Sequence, residues 1–314
     1  MALQTSGQIS LNDIHVEAGG SSGTQASLND TDIRGLISKG SGAQSSFSEW
    51  YGATAETVLT SAGTVNGQAQ RKQITASSFI SSGGTLRIPS NIWVWSDSVS
   101  TAALTVDIPC TIINEGKIIG KGGNGGGDYT TVQNGGRAIY ITSSGVTITN
   151  SSGAYIAGGG GGGQSGPNRA SGGGGAGGAQ GGDTPNGLGG TGGALNASGI
   201  DGQNGYAGVG EGGGAGAGGG SVFRSGGGGG RILPGTGGAG GIDTAMNQGW
   251  SGGNGGSAGN VGSAGNNAGG GGGGWGARGG FQSTNSNSYG TGGAAIGKTT
   301  SYTLSNSGTI YGAT

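Results

Sequence analysis

Ser251-Gly-Gly-Asn254-Gly-Gly-Ser257-Ala-Gly-Asn260-Val-Gly-Ser263-Ala-Gly-Asn266 carries a glycine at every third position from Gly253 to Gly265. A period of three fits neither an amphipathic α-helix, which repeats at 3.6 residues, nor a strand, which repeats at 2. It matches the three-residue turn of the polyproline II conformation. One face of such a helix is then glycine alone, and neighbouring backbones can approach closely enough for N–H groups to donate between helices. Thr236-Gly-Gly-Ala239-Gly-Gly-Ile242 and Leu188-Gly-Gly-Thr191-Gly-Gly-Ala194 repeat the pattern in shorter runs.

Collagen also places glycine at every third position. Here the chain has only five prolines, none inside the periodic runs, and each run soon stops at a bulky or polar insert. A flexible Gly/Ser linker accounts for the composition but not for Phe223, Ile232, Leu233, Trp250, Trp275 and Phe281, which return at intervals. A stack of short glycine helices joined by turns that bear side chains explains both features. The expected fold is mainly β, with little α-helix, and with a polyglycine II (polyproline II-type) bundle or sandwich over residues 158–298.

Composition sets limits on the rest. Of 314 residues 88 are glycine, 9% are charged and 5% aromatic, so an ordinary apolar core cannot run the full length. The net charge is −1 and the basic residues are scattered, which leaves no electrostatic footprint for nucleic acid. No segment has the length and apolarity of a membrane span, and the opening Met-Ala-Leu-Gln-Thr-Ser lacks the parts of a secretory signal. Synthesis in a cytoplasm is expected. Cys110 is the single cysteine and His15 the single histidine, so no intramolecular disulfide, metal set or nucleophile set can be assembled around them. No cofactor is expected.

Residues 1–55 form a separate unit in which Ser10-Leu-Asn-Asp13 recurs as Ser27-Leu-Asn-Asp30. Asn29 or Asp30 can cap a short helix that puts Ile33, Leu36 and Ile37 on one face. With Leu11, Ile14, Leu28, Phe47 and Trp50, these residues are the candidates for attachment, because a unit this small buries little surface by itself. Completion by a partner, or by copies of itself in a homotrimer, is expected. Residues 56–157 alternate in the manner of strands and form a β platform. Asn114-Glu-Gly116-Lys-Ile118, Asn150-Ser-Ser-Gly153-Ala-Tyr-Ile156 and Asn306-Ser-Gly308-Thr-Ile310 repeat one β-turn-β motif. Because the last copy lies beyond the glycine region, residues 299–314 are expected to return to the platform and close it.

The Ser-Leu-Asn-Asp unit, Ile92-Trp-Val-Trp-Ser96, Asn114-Glu-Gly-Lys-Ile-Ile-Gly-Lys-Gly-Gly-Asn-Gly-Gly126, Ala154-Tyr-Ile-Ala followed by Gly158–Gly163, and Thr303-Leu-Ser-Asn-Ser-Gly-Thr-Ile-Tyr-Gly312 occur in one order. In that order they resemble the glycine-rich tail-tip and tail-fibre proteins of tailed bacteriophages. The glycine region is similar to the receptor-binding domain of T-even-type tail-fibre adhesins, in which layers of polyglycine II helices carry loops at one end. The resemblance implies a non-enzymatic virion protein of the tail. Its partners would be a host receptor, either an outer-membrane protein or a surface polysaccharide, and other tail proteins reached through the N-terminal unit.

Gly292-Gly-Ala-Ala-Ile-Gly297-Lys298-Thr299 satisfies the phosphate-loop pattern, but that motif works only between a buried strand and a helix N-terminus. Polar loop sequence precedes it and strand-like sequence follows, so it is read as chance. Specificity must then come from the inserts between glycine runs, where exposed aromatic and arginine side chains suit recognition on a rigid scaffold. The candidates are Tyr206, Phe223, Arg224, Ile232, Leu233, Trp250, Phe281 and Tyr289. A structural tail or baseplate spacer is the competing reading, and an ice-binding protein a further one, since glycine-rich polyproline II bundles resemble springtail antifreeze proteins.

Overall fold

The computed structural model describes residues 3–37, 39–53, 56–65, 68–80, 82–127, 131–165, 172–177, 183–184, 187–188, 253–266, 269–281 and 288–314. The N-terminal unit contains two short helices, α1 (Leu11–Glu17) and α2 (Thr31–Gly35). Ser10 and Asp13 close a capping box at the start of α1, so the first copy of the repeated tetrapeptide satisfies backbone donors that the helix leaves open. In the second copy Asp30 takes the N-cap position without a side-chain hydrogen bond to the helix. Instead its carboxylate accepts from the Ser27 backbone N–H at 2.7 Å. Ile14, Ile33 and Trp50 are fully buried in this unit's own core, and the Trp50 indole N–H donates to the Ile33 carbonyl.

The strands then wind into a three-faced parallel coil. The first face holds β1 (Glu56–Val58), β5 (Thr85–Ile88), β8 (Thr111–Asn114), β11 (Val146–Asn150) and β16 (Tyr302–Asn306) in that order. On the second face β3 (Gln68–Lys72), β6 (Ile92–Trp95), β9 (Lys117–Ile119), β12 (Tyr155–Ala157) and β17 (Thr309–Tyr311) pair in parallel, and β2 (Thr64–Val65) adds an antiparallel edge to β3. The third face holds β4 (Ile74–Thr75), β7 (Leu104–Val106), β10 (Ile139–Ile141) and β15 (Ile296–Lys298). Each circuit visits the faces in the same order, which makes the platform a parallel β-helix.

Alternation along each strand sends one set of side chains inward. Leu86, Ile112 and Ile148 line up on the first face, Val94, Ile118 and Ile156 on the second, and Leu104, Ile139 and Ile296 on the third. Each fully buried aliphatic side chain contributes about 1.5–3 kcal/mol relative to exposure. At the corner between the first and second faces the repeated motif becomes an asparagine ladder. Asn114 Nδ2 donates to Asn150 Oδ1 at 2.8 Å, and Asn150 Nδ2 donates to Asn306 Oδ1 at 2.8 Å. The chain turns there so tightly that a Cβ on Gly116 would lie 2.3 Å from the Ile92 carbonyl oxygen.

The two longest excursions leave from one corner, between the second and third faces. In successive circuits the connection there is Gln73 alone, then residues 96–103, then 120–138, then 158–295. The glycine bundle is therefore two insertions into adjacent circuits. Segments 120–127 and 131–137 hydrogen-bond to segment 158–165, and Ile296–Lys298 is a strand of the third face. Residues Asp183–Thr184 and Gly187–Leu188 form a separate antiparallel pair, β13 and β14.

Within the bundle, segment 158–165 sits at the centre. The N–H groups of Gly159 and Gly162 donate to segment 131–137, those of Gly160 and Gly163 to 172–177, and those of Gly161 and Gln164 to 277–281. In return its carbonyls accept from segments 120–127, 269–274 and 288–294, again at intervals of three. Six neighbours surround it, so no direction has room for a side chain and Gly158–Gly163 is an unbroken run. Gly269–Gly274, the other run of six glycines among the described residues, contacts five segments. The periodic stretch lies at the rim. Gly253, Gly256, Gly259, Gly262 and Gly265 donate in turn to the carbonyls of 269, 272, 275, 278 and 281, while Asn254, Asn260, Val261 and Ser263 are exposed.

A Cβ at Gly161 would stand 1.9 Å from the Gly290 carbonyl oxygen, whereas at Gly126 the nearest atom is 3.1 Å away. Gly161→Ala is expected to lower stability by at least about 1–3 kcal/mol, the usual range for overpacking, and Gly126→Ala by clearly less. Comparing the two denaturation midpoints with wild type tests the central placement of segment 158–165, which fails if both are unchanged.

Candidate functional site

The two ends of the bundle have different surroundings. At the β-helix end, the turns at Ala258–Gly259 and Trp275–Gly276 abut the last circuit. Gly259 has a left-handed φ of +76° with the Tyr311 ring beside it, and a Cβ on Gly276 would strike the Tyr311 backbone. Close packing of backbone thus explains Gly256, but Gly259 is required by its turn. Trp275 is fully buried here with Trp93, Ile119, Ala157 and Ala176, and Trp95, Tyr155, Ala258 and Tyr311 close around them. Tyr155 stacks on Tyr311 at 6.4 Å, and the Lys117 ammonium lies 4.8 Å from the Trp93 ring centroid. Burial holds Lys117 and Lys121 below the ordinary lysine range and raises the Tyr311 phenol. This aromatic joint mounts the bundle on the β-helix.

The opposite end is set by the register. Gln164 is the last residue of the central segment to donate, to Gly280, and it accepts from Gly270. Phe281 and Tyr289 follow at this level, remote from the β-helix. Their rings tilt at 47° with centroids 6.5 Å apart, and the Arg278 guanidinium lies 5.6 Å from the Phe281 centroid and 4.6 Å from that of Tyr289. All three side chains are half-buried. Arg278 precedes Phe281 by three residues, the bundle's own repeat, and Tyr289 comes from the antiparallel neighbour.

Two of the sequence candidates are therefore brought together, and Arg278, absent from that set, joins them. The signal was its spacing from Phe281. Tyr206, Phe223, Arg224, Ile232, Leu233 and Trp250 lie outside the described residues. Among the attachment candidates, Ile14, Ile33 and Trp50 are committed to the unit's own core, and Leu11, Leu28, Leu36 and Ile37 pack partly against it. Within the unit, α1, α2 and the turn Phe47–Trp50 thus fold onto one another. Phe47 remains exposed, as does Val16, which borders a cleft of about 570 Å³ with Leu3 and Glu17.

Lys298 lies on β15 with its ammonium 4.9 Å from the Tyr302 ring centroid, and a strand follows where a phosphate loop needs a helix. His15 bonds Thr24 Oγ1 at 2.7 Å and packs where a side chain on Gly20 would stand. Cys110 is buried, which pushes its thiol up to about 11. Among the described residues no group of three or more potential metal ligands occurs.

A coil built from backbone ladders, bearing on one corner a lattice of glycine segments whose free end carries side chains, is a scaffold for display. Residues 57–220 match the family model of the phage tail fibre adhesin Gp38. The chain belongs to that family, and it is a tail-fibre adhesin of a bacteriophage. No curated protein matches it. Among solved structures, the gp37-gp38 adhesin tip complex of the bacteriophage S16 long tail fiber is similar at 17% identity, with a TM-score of 0.46, over 98% of this chain and 99% of the solved one.

Trp275→Ala is expected to cost about 3–5 kcal/mol, as for other large aromatics removed from a core, measurable by chemical denaturation. Lys298→Ala should leave stability within about 0.5 kcal/mol, as for most surface changes. Neither wild type nor this variant should bind ATP in a calorimetric titration, and ATP binding lost on the substitution would overturn the chance reading of the motif.

Proposed function

We propose that this adhesin engages its host receptor through the end of the glycine bundle remote from the β-helix, without enzymatic activity, and that it is carried on the tail of the virion. One observation carries the reading: the described turns nearest the β-helix are consumed in the aromatic joint, whereas Arg278, Phe281 and Tyr289 gather side chains at the other end. We take the segments to be polyproline II-type helices, which the three-residue repeat of their hydrogen bonds supports. The receptor is an outer-membrane protein or a surface polysaccharide.

In the same reading, residues 1–55 dock onto another tail protein, with exposed Phe47 and Val16 and the cleft beside Leu3 as the contact. The β-helix platform and its returning C-terminal strands hold the bundle away from that contact. Removal of residues 1–55 should leave a folded fragment that no longer enters virions, and normal incorporation would refute the docking role. A trimer of the isolated unit in solution would assign that face to self-association instead.

Alanine substitutions at Tyr206, Phe223, Arg224, Ile232, Leu233, Trp250, Phe281 and Tyr289 test the recognition role, each scored for melting temperature and for adsorption to cells of the propagating strain. Loss of a hot-spot side chain weakens binding by about thirtyfold or more. The expected result is several folded variants that adsorb poorly. If every folded variant adsorbs as wild type does, the bundle is a spacer.

A further inference from the structure

We propose that Arg278 is a specificity residue that receives a carboxylate from an acidic side chain of a surface protein on the host. This inference rests on the reading that the remote end of the bundle meets the receptor, and it goes further by naming the residue and the chemistry.

Charge comes first. The described glycine segments, 120–127, 131–137, 158–165, 172–177, 253–266, 269–281 and 288–294, hold three cations, Lys121, Arg137 and Arg278, and no carboxylate. Lys121 and Arg137 belong to the β-helix end. Lys121 lies within reach of Asp97, and Arg137 places its guanidinium 4.5 Å from the Tyr140 ring centroid. Arg278 is the cation at the remote end. Among the described residues no carboxylate forms an ion pair with it.

Geometry comes second. One guanidinium N–H donates to the Gly279 carbonyl at 3.3 Å, and the rings of Phe281 and Tyr289 both lie beside the group. A guanidinium held against aromatic faces keeps N–H groups along its edge, in a planar fork that matches a carboxylate in two parallel hydrogen bonds. Because the rings hold it in place, less side-chain entropy is lost on binding. Arginine beside tyrosine and phenylalanine is also the composition of a protein interface hot spot, which favours a protein over a polysaccharide as the partner.

The test uses the full chain and intact cells of the propagating strain, with Arg278→Ala, Arg278→Lys, Phe281→Ala and Tyr289→Ala compared at equal melting temperature. Arg278→Ala should weaken adsorption about thirtyfold or more, and Arg278→Lys should recover only part of it, since an ammonium lacks the fork. Should the alanine variant fail to fold, the lysine variant alone decides, with wild-type adsorption counting against the proposal. Treating the cells with protease should abolish adsorption by wild type. Arginine-dependent adsorption that survives protease but not periodate oxidation of surface sugars would overturn the protein partner. If Phe281→Ala and Tyr289→Ala impair adsorption while both Arg278 variants adsorb as wild type, this inference fails and end-on recognition stands. If all four adsorb normally, the cluster is not part of the receptor contact.

Discussion

The hydrogen bond from one glycine segment to the next governs this protein. A backbone N–H and a carbonyl are obligatory partners when buried, and in the bundle they find each other between segments. For segment 158–165 this happens in six directions at once, a density of contact that a Cβ at any of Gly158 to Gly163 would break. The glycine content follows from that requirement. The cost is entropic, since glycine loses more freedom on folding than any other residue, and the offset comes from many hydrogen bonds formed cooperatively in a shared lattice.

Such a lattice needs a firm origin, and the β-helix supplies it. Five strands on each of two faces hold parallel register, the asparagine ladder from Asn114 through Asn150 to Asn306 fixes the corner, and both glycine insertions depart from the same edge. Residues 146–157 and 302–311 therefore sit on adjacent circuits although the second insertion separates them in sequence. Trp275 then locks the near turns against Trp93 and Ile119. Position within the bundle thus derives from strand pairing some distance away, which keeps the remote end in a defined place.

For an adhesin the consequence is a division of labour. Segments bonded through their backbones put little demand on the side chains at the far end, so the chemistry there can change without disturbing the scaffold. The grouping of Phe281, Tyr289 and Arg278 shows how such an end is furnished: a three-residue step along one segment and a single neighbour from the adjacent antiparallel one bring two rings and a cation together. Loops on a rigid support are where recognition usually resides.

Much of the bundle could be read from residues alone. A glycine at every third position predicts one bare face, and Gly253, Gly256, Gly262 and Gly265 are buried while Asn254, Val261 and Ser263 stay out, with Gly259 exposed at the turn between the two segments. Glycine density even encodes depth, since a rim segment needs one bare face and the surrounded segments 158–163 and 269–274 need three. The repeated Asn-x-Gly motifs marked the strand corners for the same reason, namely that local sterics are written residue by residue. Tertiary structure alone decided that those strands pair in parallel as circuits of one helix, that Gly120–Gly127 joins the bundle from inside the platform, and that Ile14, Ile33 and Trp50 close on each other. It alone brought Arg278 beside both Phe281 and Tyr289. Periodicity fixes which face of a segment is bare, but not which other segment will lie against it, because that choice depends on hydrogen bonds between residues far apart in the chain.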